Sequence, residues 1–287
     1  MNKKFKDLLI RTLSALLYGG VFVGGIYLAK WSVGVLFALI AVVCVVEFYN
    51  LCRKAGSQPM TVMGASMVLA IFGVAFVIFN QWGVGVTDLT SRIVFGLAAY
   101  VMIMVPSVFV CELWRKSATP INNIATTFMG VVYVALPMSL LLFIPQMLVK
   151  DGYYANTLMA YLLIIWANDI FAYLVGVSIG KHRLCERISP KKSWEGFIGG
   201  IVGAIGVAVL MGYLFEGNLY VWGGLGVVLS LTGVAGDLVE SLLKRSADVK
   251  DSGKIMPGHG GMLDRFDALL MSVPFAFIYL LIVGLLN

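Results

Sequence analysis

Long apolar blocks alternate with short polar stretches along this chain. A helix that crosses the hydrocarbon of a bilayer needs ~20 mostly apolar residues. Nine blocks of about that length stand out: 12–29, 31–50, 60–80, 93–113, 124–145, 157–180, 197–215, 219–243 and 268–286. The pattern predicts an all-α, polytopic integral membrane protein of about nine transmembrane helices. Lys30 and Trp31 alone divide the first two blocks, so the turn there is expected to be tight. Pro106 and Pro137 are expected to kink the fourth and fifth spans.

The polar remainder sets the orientation. Loops 1–11, 51–59, 114–123, 181–196 and 244–267 hold 18 of the 21 lysines and arginines, leaving Lys30, Arg92 and Lys150 for the other side. Cytoplasmic loops carry the excess of Lys and Arg, so nine spans put the N-terminus in the cytoplasm and the C-terminus outside. Composition agrees. Hydrophobic residues make up 60% and charged residues 13% of the chain, against ~25% charged in soluble domains. The net charge of +6 is explained by cations at the ends of spans, so nucleic acid is not implied. Cys44, Cys52, Cys111 and Cys185 are scattered without a CxxC, which argues against a disulfide framework or a zinc site. The segment KKFKDLLIR with its following apolar run resembles a signal peptide but lacks a convincing small-residue cleavage site, so a retained first helix is expected.

A few polar residues are costly where they stand. Asn168 and Asp169 fall in the middle of the sixth span, where a charge costs at least ~2.5–3.5 kcal/mol. They either make an interhelical hydrogen bond or line a polar funnel. After that span, Ser189-Pro190 favours a turn, and Ser193 is placed to cap the seventh helix with Glu195 in its first turn. Lys191 and Lys192 near that helix start suit an anion, although they also satisfy the positive-inside bias. His182 reads as an ordinary loop residue. Glu47 and Glu112 lie near cytoplasmic ends and read as interfacial caps.

The long polar stretch 237–267, DLVESLLKRSADVKDSGKIMPGHGGMLDRFD, is the centre of the chemistry. Asp237, Glu240, Ser241 and Lys244 share one helix face by their spacing. Asp264 and Asp267 share another at the start of the ninth span. A cluster of Asp237, Asp264 and Asp267 would repel itself without a cation, and oxygen ligands select Mg²⁺, which prefers phosphate as a co-ligand. His259 could bind that metal, though a role toward phosphate or in shaping the loop suits it better. The glycines around His259 allow close approach of backbone to a ligand. Lys244, Arg245, Lys250, Lys254 and Arg265 could neutralise phosphate charge. The competing reading is a solvated loop with surface ion pairs.

These residues carry a resemblance. Ser241-Leu242-Leu243-Lys244-Arg245, then Lys250-Asp251, Pro257-Gly258-His259-Gly260-Gly261, Asp264-Arg265 and Asp267 resemble the signature of the phosphatidate cytidylyltransferases (CDP-diacylglycerol synthases), and Ser189 to Gly196 is similar to a second motif of that family. Ser193 stands where the family often has Thr. The resemblance implies that CTP and phosphatidate give CDP-diacylglycerol and pyrophosphate in phospholipid biosynthesis. It implies Mg²⁺, with two cations near carboxylates of the Asp237 and Asp264 type, and a homodimer. Residues 1–156 are then a scaffold of five spans and 157–287 the catalytic region of four, in one membrane unit. The expected location is a bacterial inner membrane, with the site on the cytoplasmic side of the C-terminal helices. Asp237, Asp264, Lys244 and Arg265 are the expected catalytic residues, and Asp237, Asp264 and Asp267 the expected metal ligands. Substrate contacts are expected from Asn168, Asp169, Ser189, Lys191, Lys192, Ser193, Ser241, Arg245, Lys250, Asp251, His259, Gly260 and Gly261. The alternative is an ion-coupled transporter with Asp169 and Asp237 as intramembrane ion sites, but the polar groups crowd into one end of the chain rather than both halves. The Asp-Gly-x-x-Ala-Arg pattern of CDP-alcohol phosphotransferases is absent.

Overall fold

The computed structural model describes residues 18–81, 87–149, 154–255 and 260–286. Helix α1 covers Tyr18–Leu28. It is followed by α2 (Lys30–Lys54), α3 (Thr61–Asn80), α4 (Asp88–Arg115), α5 (Pro120–Leu141), α6 (Ile144–Leu148) and α7 (Tyr154–Ile179). A hairpin of β1 (Arg183–Cys185) and β2 (Ser189–Ser193) leads into α8 (Trp194–Leu214), α9 (Leu219–Ser246) and α10 (Leu263–Leu286). Among the described residues, eight helices (α2 to α5 and α7 to α10) are long and apolar enough to cross a membrane. The architecture is helical as expected. The start of the first expected span lies outside the described residues.

Several local expectations change. The first turn breaks at Ala29, and Lys30 and Trp31 belong to α2. Ser32 makes this compact: its hydroxyl accepts from the Ala29 amide at 2.9 Å and donates to the Gly25 carbonyl at 2.8 Å. Ser189 and Pro190 are not the turn. They lie in β2, and residues 186–188 turn the chain, because antiparallel pairing of Cys185 with Ser189 and of Arg183 with Ser193 closes the hairpin there. Proline is tolerated in a strand that has a free edge. Besides Pro106 and Pro137, a third proline, Pro274, lies inside a spanning helix, α10.

The chain forms two compact units. Unit 1 comprises residues 1–142 and 246–266, and unit 2 comprises 143–245 and 267–287. Unit 1 packs α2, α3 and α5 around Tyr49, whose hydroxyl donates to the Thr127 carbonyl at 2.7 Å. Gly64 and Gly130 make room for that side chain: a Cβ on either would lie within 2.3 Å of one of its atoms. Small residues at such crossings let helices approach closely in lipid, where apolar contact alone does not drive association. Near the same end, the buried Asn123 donates to Glu112 at 2.6 Å and accepts from the Gln58 amide at 2.6 Å, while Arg115 pairs with Glu112 at 3.0 Å. Glu112, read from sequence as an interfacial cap, thus has Arg115 as a cation partner.

In unit 2, α7 packs along α8 through glycines. A Cβ at Gly203 would overlap the Phe171 ring at 2.3 Å, and one at Gly199 would overlap Val175 at 2.5 Å. This seam brings α7's mid-helix polar pair beside the start of α8.

Candidate active site

The start of α8 is built as its sequence suggests. Ser193 sits before the first turn in an extended conformation, and its hydroxyl accepts from the Gly196 amide at 3.2 Å. Glu195, in that first turn, accepts from the Lys181 and His182 amides at 3.1 and 3.2 Å and meets His182 Nδ1 at 2.6 Å. With the Trp194 amide donating to the His182 carbonyl at 2.9 Å, these contacts lock the hairpin against the helix. His182 therefore has a structural partner and is a loop fastener. The lock holds Lys191 and Lys192 on β2, at the mouth of a cavity.

That cavity has a volume of about 590 Å³ and lies within unit 2. Asn168, Asp169, Lys191, Lys192, Ser193 and Asp237 all line it. Asn168 is buried, at 2% exposure. Its Nδ2 donates weakly to Asp169 Oδ1 at 3.4 Å, and its Oδ1 finds no hydrogen-bond partner among the described residues. Both residues of the pair line the cavity.

Asp237 links the cavity to a deeper acidic cluster. Carboxylate oxygens of Asp237, Glu240 and Asp267 lie within 4.8 Å of one another. Lys192 pairs with Asp237, and Lys244 pairs with Glu240 one helical turn along. Asp267 accepts from the Ala268 amide at 2.8 Å. Ser241 reaches Asp237 Oδ1 at 3.4 Å. Glu240 is fully buried and Asp267 nearly so. Carboxylates taken this far from water are retained only when paired or coordinating. Gly236 makes the grouping possible, since a Cβ there would lie 2.4 Å from the Asp267 carbonyl oxygen. Three carboxylate groups against two ammoniums leave an oxygen-rich donor set that fits a hard divalent cation.

In unit 1, Asp264 organises the end of the long polar loop. Its Oδ2 accepts from the Ser252 amide at 3.0 Å, the Ser252 hydroxyl at 2.9 Å and the Gly261 amide at 2.8 Å. Arg245, Lys250, Asp251, Lys254 and Arg265 are exposed. His259 lies outside the described residues.

Two acids matter more than their sequence positions suggested. Glu240 was recognisable on the polar stripe of α9 but had no assigned role; it is a member of the cluster. Glu47, expected as an interfacial cap, is buried at 6% exposure and accepts from the Leu263 amide at 2.8 Å and the Ser252 hydroxyl at 3.1 Å. Its partners lie more than 200 residues away in sequence, and the only advance signal was an acid inside an apolar helix. The glycines also acquire a nearer purpose than ligand approach. A Cβ at Gly253 would lie 2.0 Å from Glu47 Oε1, and at Gly261 it would lie 2.4 Å from Glu47 Oε2. Gly260, at φ +87°, occupies the left-handed region, and a Cβ there would meet Asp264 Oδ2 at 2.8 Å. These glycines let the loop's backbone approach the chain's own carboxylates.

Residues 9–283 match the Cytidylyltransferase family. The chain is similar to the phosphatidate cytidylyltransferase of Bacillus subtilis (strain 168), with 32% identity over 237 residues, covering 82% of this chain and 84% of that protein. It is also similar to the phosphatidate cytidylyltransferase of Rickettsia bellii (strain RML369-C), with 33% identity over 218 residues, 67% of this chain and 90% of that protein. The phosphatidate cytidylyltransferase of Staphylococcus aureus (strain COL) is 53% identical over 114 residues, which is 39% of this chain. That match spans 44%, less than half, of the S. aureus protein's length.

Proposed function

The chain belongs to the Cytidylyltransferase family, and on that premise we propose that it transfers the cytidylyl group of CTP to membrane phosphatidate. The observation that carries this reading is the joining of an acidic cluster to a lysine-lined cavity. Asp237, Glu240 and Asp267 share one small volume, and Lys191, Lys192 and Asn168 face the same cavity as Asp237.

The reaction needs no protein nucleophile. An oxygen of the lipid phosphate, already anionic, attacks the α-phosphorus of CTP. A phosphorus–oxygen bond forms there, the bond to the bridging oxygen breaks, and pyrophosphate leaves with the electron pair. The difficulty is to bring two polyanions together and to hold the charge that shifts onto the leaving group. Lys191 and Lys192, set on a short locked strand, offer ammoniums to phosphate. Lys192 can exchange its pairing with Asp237 for one with a phosphate oxygen. Asn168 brings an uncommitted buried carbonyl to the cavity wall. Lys244 stays beside Glu240 and offsets its buried charge.

Asp237, Glu240 and Asp267 would hold the divalent cation, and a bound Mg²⁺ would supply charge neutralisation on phosphate oxygens. Asp264, carried by the signature loop, is assigned to the same reaction by resemblance, as are Arg245, Lys250, Asp251 and Arg265.

The test is pyrophosphate release by the purified chain in detergent. Release is expected only with CTP, phosphatidate and Mg²⁺ together. Chelation by EDTA is expected to lower it at least ~10²-fold, and ATP is not expected to replace CTP. Silence under all conditions from a monodisperse sample would remove this reading, and ion or lipid transport would be measured next.

The proposed orientation places the loops around 51–59, 114–123, 181–196 and 244–267 in the cytoplasm, where 18 of 21 cations then reside once the N-terminal segment is included. A cysteine tag after residue 287 is expected to react with a membrane-impermeant reagent from outside the inner membrane. Labelling of that tag only from the cytoplasm would break the nine-span arrangement.

A further inference from the structure

We propose that Glu47 is a positioning residue for the signature loop, holding its flanks, Ser252–Gly253 and Gly261–Asp264, in their working arrangement; the proposal rests on the reading of the chain as a cytidylyltransferase. Glu47 lies in α2, far from the polar C-terminal stretch in sequence, yet its carboxylate is the point on which both ends of that loop converge. Glu47 Oε2 takes the Leu263 amide at 2.8 Å and the Ser252 hydroxyl at 3.1 Å. The Ser252 hydroxyl also lies 2.9 Å from Asp264 Oδ2, and the Ser252 amide donates to that same oxygen at 3.0 Å. Glu47 therefore reaches Asp264 through one intervening side chain.

Steric facts independent of these hydrogen bonds point the same way. Gly253 and Gly261 each approach the Glu47 carboxylate so closely that neither can carry a Cβ: it would stand 2.0 Å from Oε1 in one case and 2.4 Å from Oε2 in the other. Two loop glycines are thus fitted to one carboxylate on another element. Glu47 is 6% and Ser252 3% exposed, so water does not compete for these contacts. A helix cap facing solvent would need none of this. Leu263 is the first residue of α10, and the first amides of a helix have no partner within it. Glu47 supplies one for Leu263, and the negative charge sits favourably at that helix's positive end. Glu47 thereby fixes where α10 begins, one residue ahead of Asp264.

The prediction separates positioning from folding. Glu47→Ala leaves the Leu263 amide without this acceptor and removes one of the two carboxylate oxygens that the Ser252 hydroxyl reaches. Displacement of Asp264 by about an ångström is expected to lower kcat by ~10²-fold, with the KM for CTP changed little. Glu47→Gln retains an acceptor oxygen of the same reach and is expected to restore kcat to within about tenfold of the unmodified chain. Ser252→Ala, a smaller change, is expected to lower kcat in the same sense and to add little to Glu47→Ala in the double variant. Hydrogen–deuterium exchange of the amides of 250–255 and 260–264 supplies a readout that needs no turnover. Exchange there is expected to rise in Glu47→Ala and to be normal in Glu47→Gln, with the amides of α7 and α8 unchanged.

Full activity in Glu47→Ala, or lost activity with unchanged loop exchange, overturns the proposal. So does additivity of Glu47→Ala and Ser252→Ala. If Glu47→Ala does not fold, Ser252→Ala alone decides, and normal kcat and loop exchange in it overturn the proposal. If the unmodified chain releases no pyrophosphate from CTP and phosphatidate, the cytidylyltransferase reading fails by itself, and the exchange experiment still reports whether Glu47 anchors the loop.

Discussion

Asp237→Asn is expected to lower pyrophosphate release by ~10³-fold, a loss of ~4 kcal/mol in transition-state stabilisation. Asp237 is where the cavity and the acidic cluster meet. It lines the 590 Å³ space with Asn168 and Lys192, and its carboxylate also lies within 4.8 Å of Glu240 and Asp267. Asparagine preserves the shape but removes the charge, with two consequences in the same direction. Lys192 loses its carboxylate partner, and the cluster loses one of three anionic donors for a divalent cation. The variant should remain monodisperse, because Asp237 is only partly buried and asparagine can still accept from Ser241. Raising Mg²⁺ should recover part of the activity if the lost donor matters mainly for cation affinity. Asp237→Asn activity within a few fold of the unmodified chain, at limiting Mg²⁺, would take Asp237 out of the site.

Asp264→Asn is the second large effect: turnover is expected to fall below detection while the chain stays folded. Asp264 Oδ2 accepts from Ser252 N, Ser252 Oγ and Gly261 N. An asparagine carbonyl oxygen keeps an acceptor in place for these donors, so the substitution chiefly removes charge. Pyrophosphate release and size-exclusion profile, measured together, separate chemistry from folding. Near-normal release would mean that Asp264 serves only as the loop's hydrogen-bond acceptor and has no part in the reaction.

How far sequence reached depended on the range of the interaction. Ser193, Glu195 and the stripe Asp237–Glu240–Ser241–Lys244 were readable because helix caps and i,i+4 neighbours depend on the spacing of nearby residues. The expected carboxylate cluster was Asp237, Asp264 and Asp267; the structure groups Asp237 and Asp267 with Glu240, and the basis of their nearness is Gly236. The β1–β2 hairpin was missed because the Ser189-Pro190 turn signal is local, whereas the pairing that overrides it also uses Arg183 and Cys185. Glu47 was underestimated for a related reason. An acid near the end of an apolar helix has a satisfactory local explanation, and nothing within a few turns reveals a partner more than 200 residues away. The loop glycines were read as room for a ligand, because sequence marks an absent side chain without showing which neighbour fills the space.

Gly236 has a consequence for how the site behaves in a changing bilayer. The contact between Gly236 and the Asp267 carbonyl is one of main chain with main chain. The separation of Asp237 and Asp267 is therefore set by two touching backbones rather than by side chains that can change rotamer. Lipids of different length or fluidity can rearrange the outward-facing leucines and valines of α9 and α10 without altering that spacing. The acidic pair thus inherits the stiffness of the helices themselves.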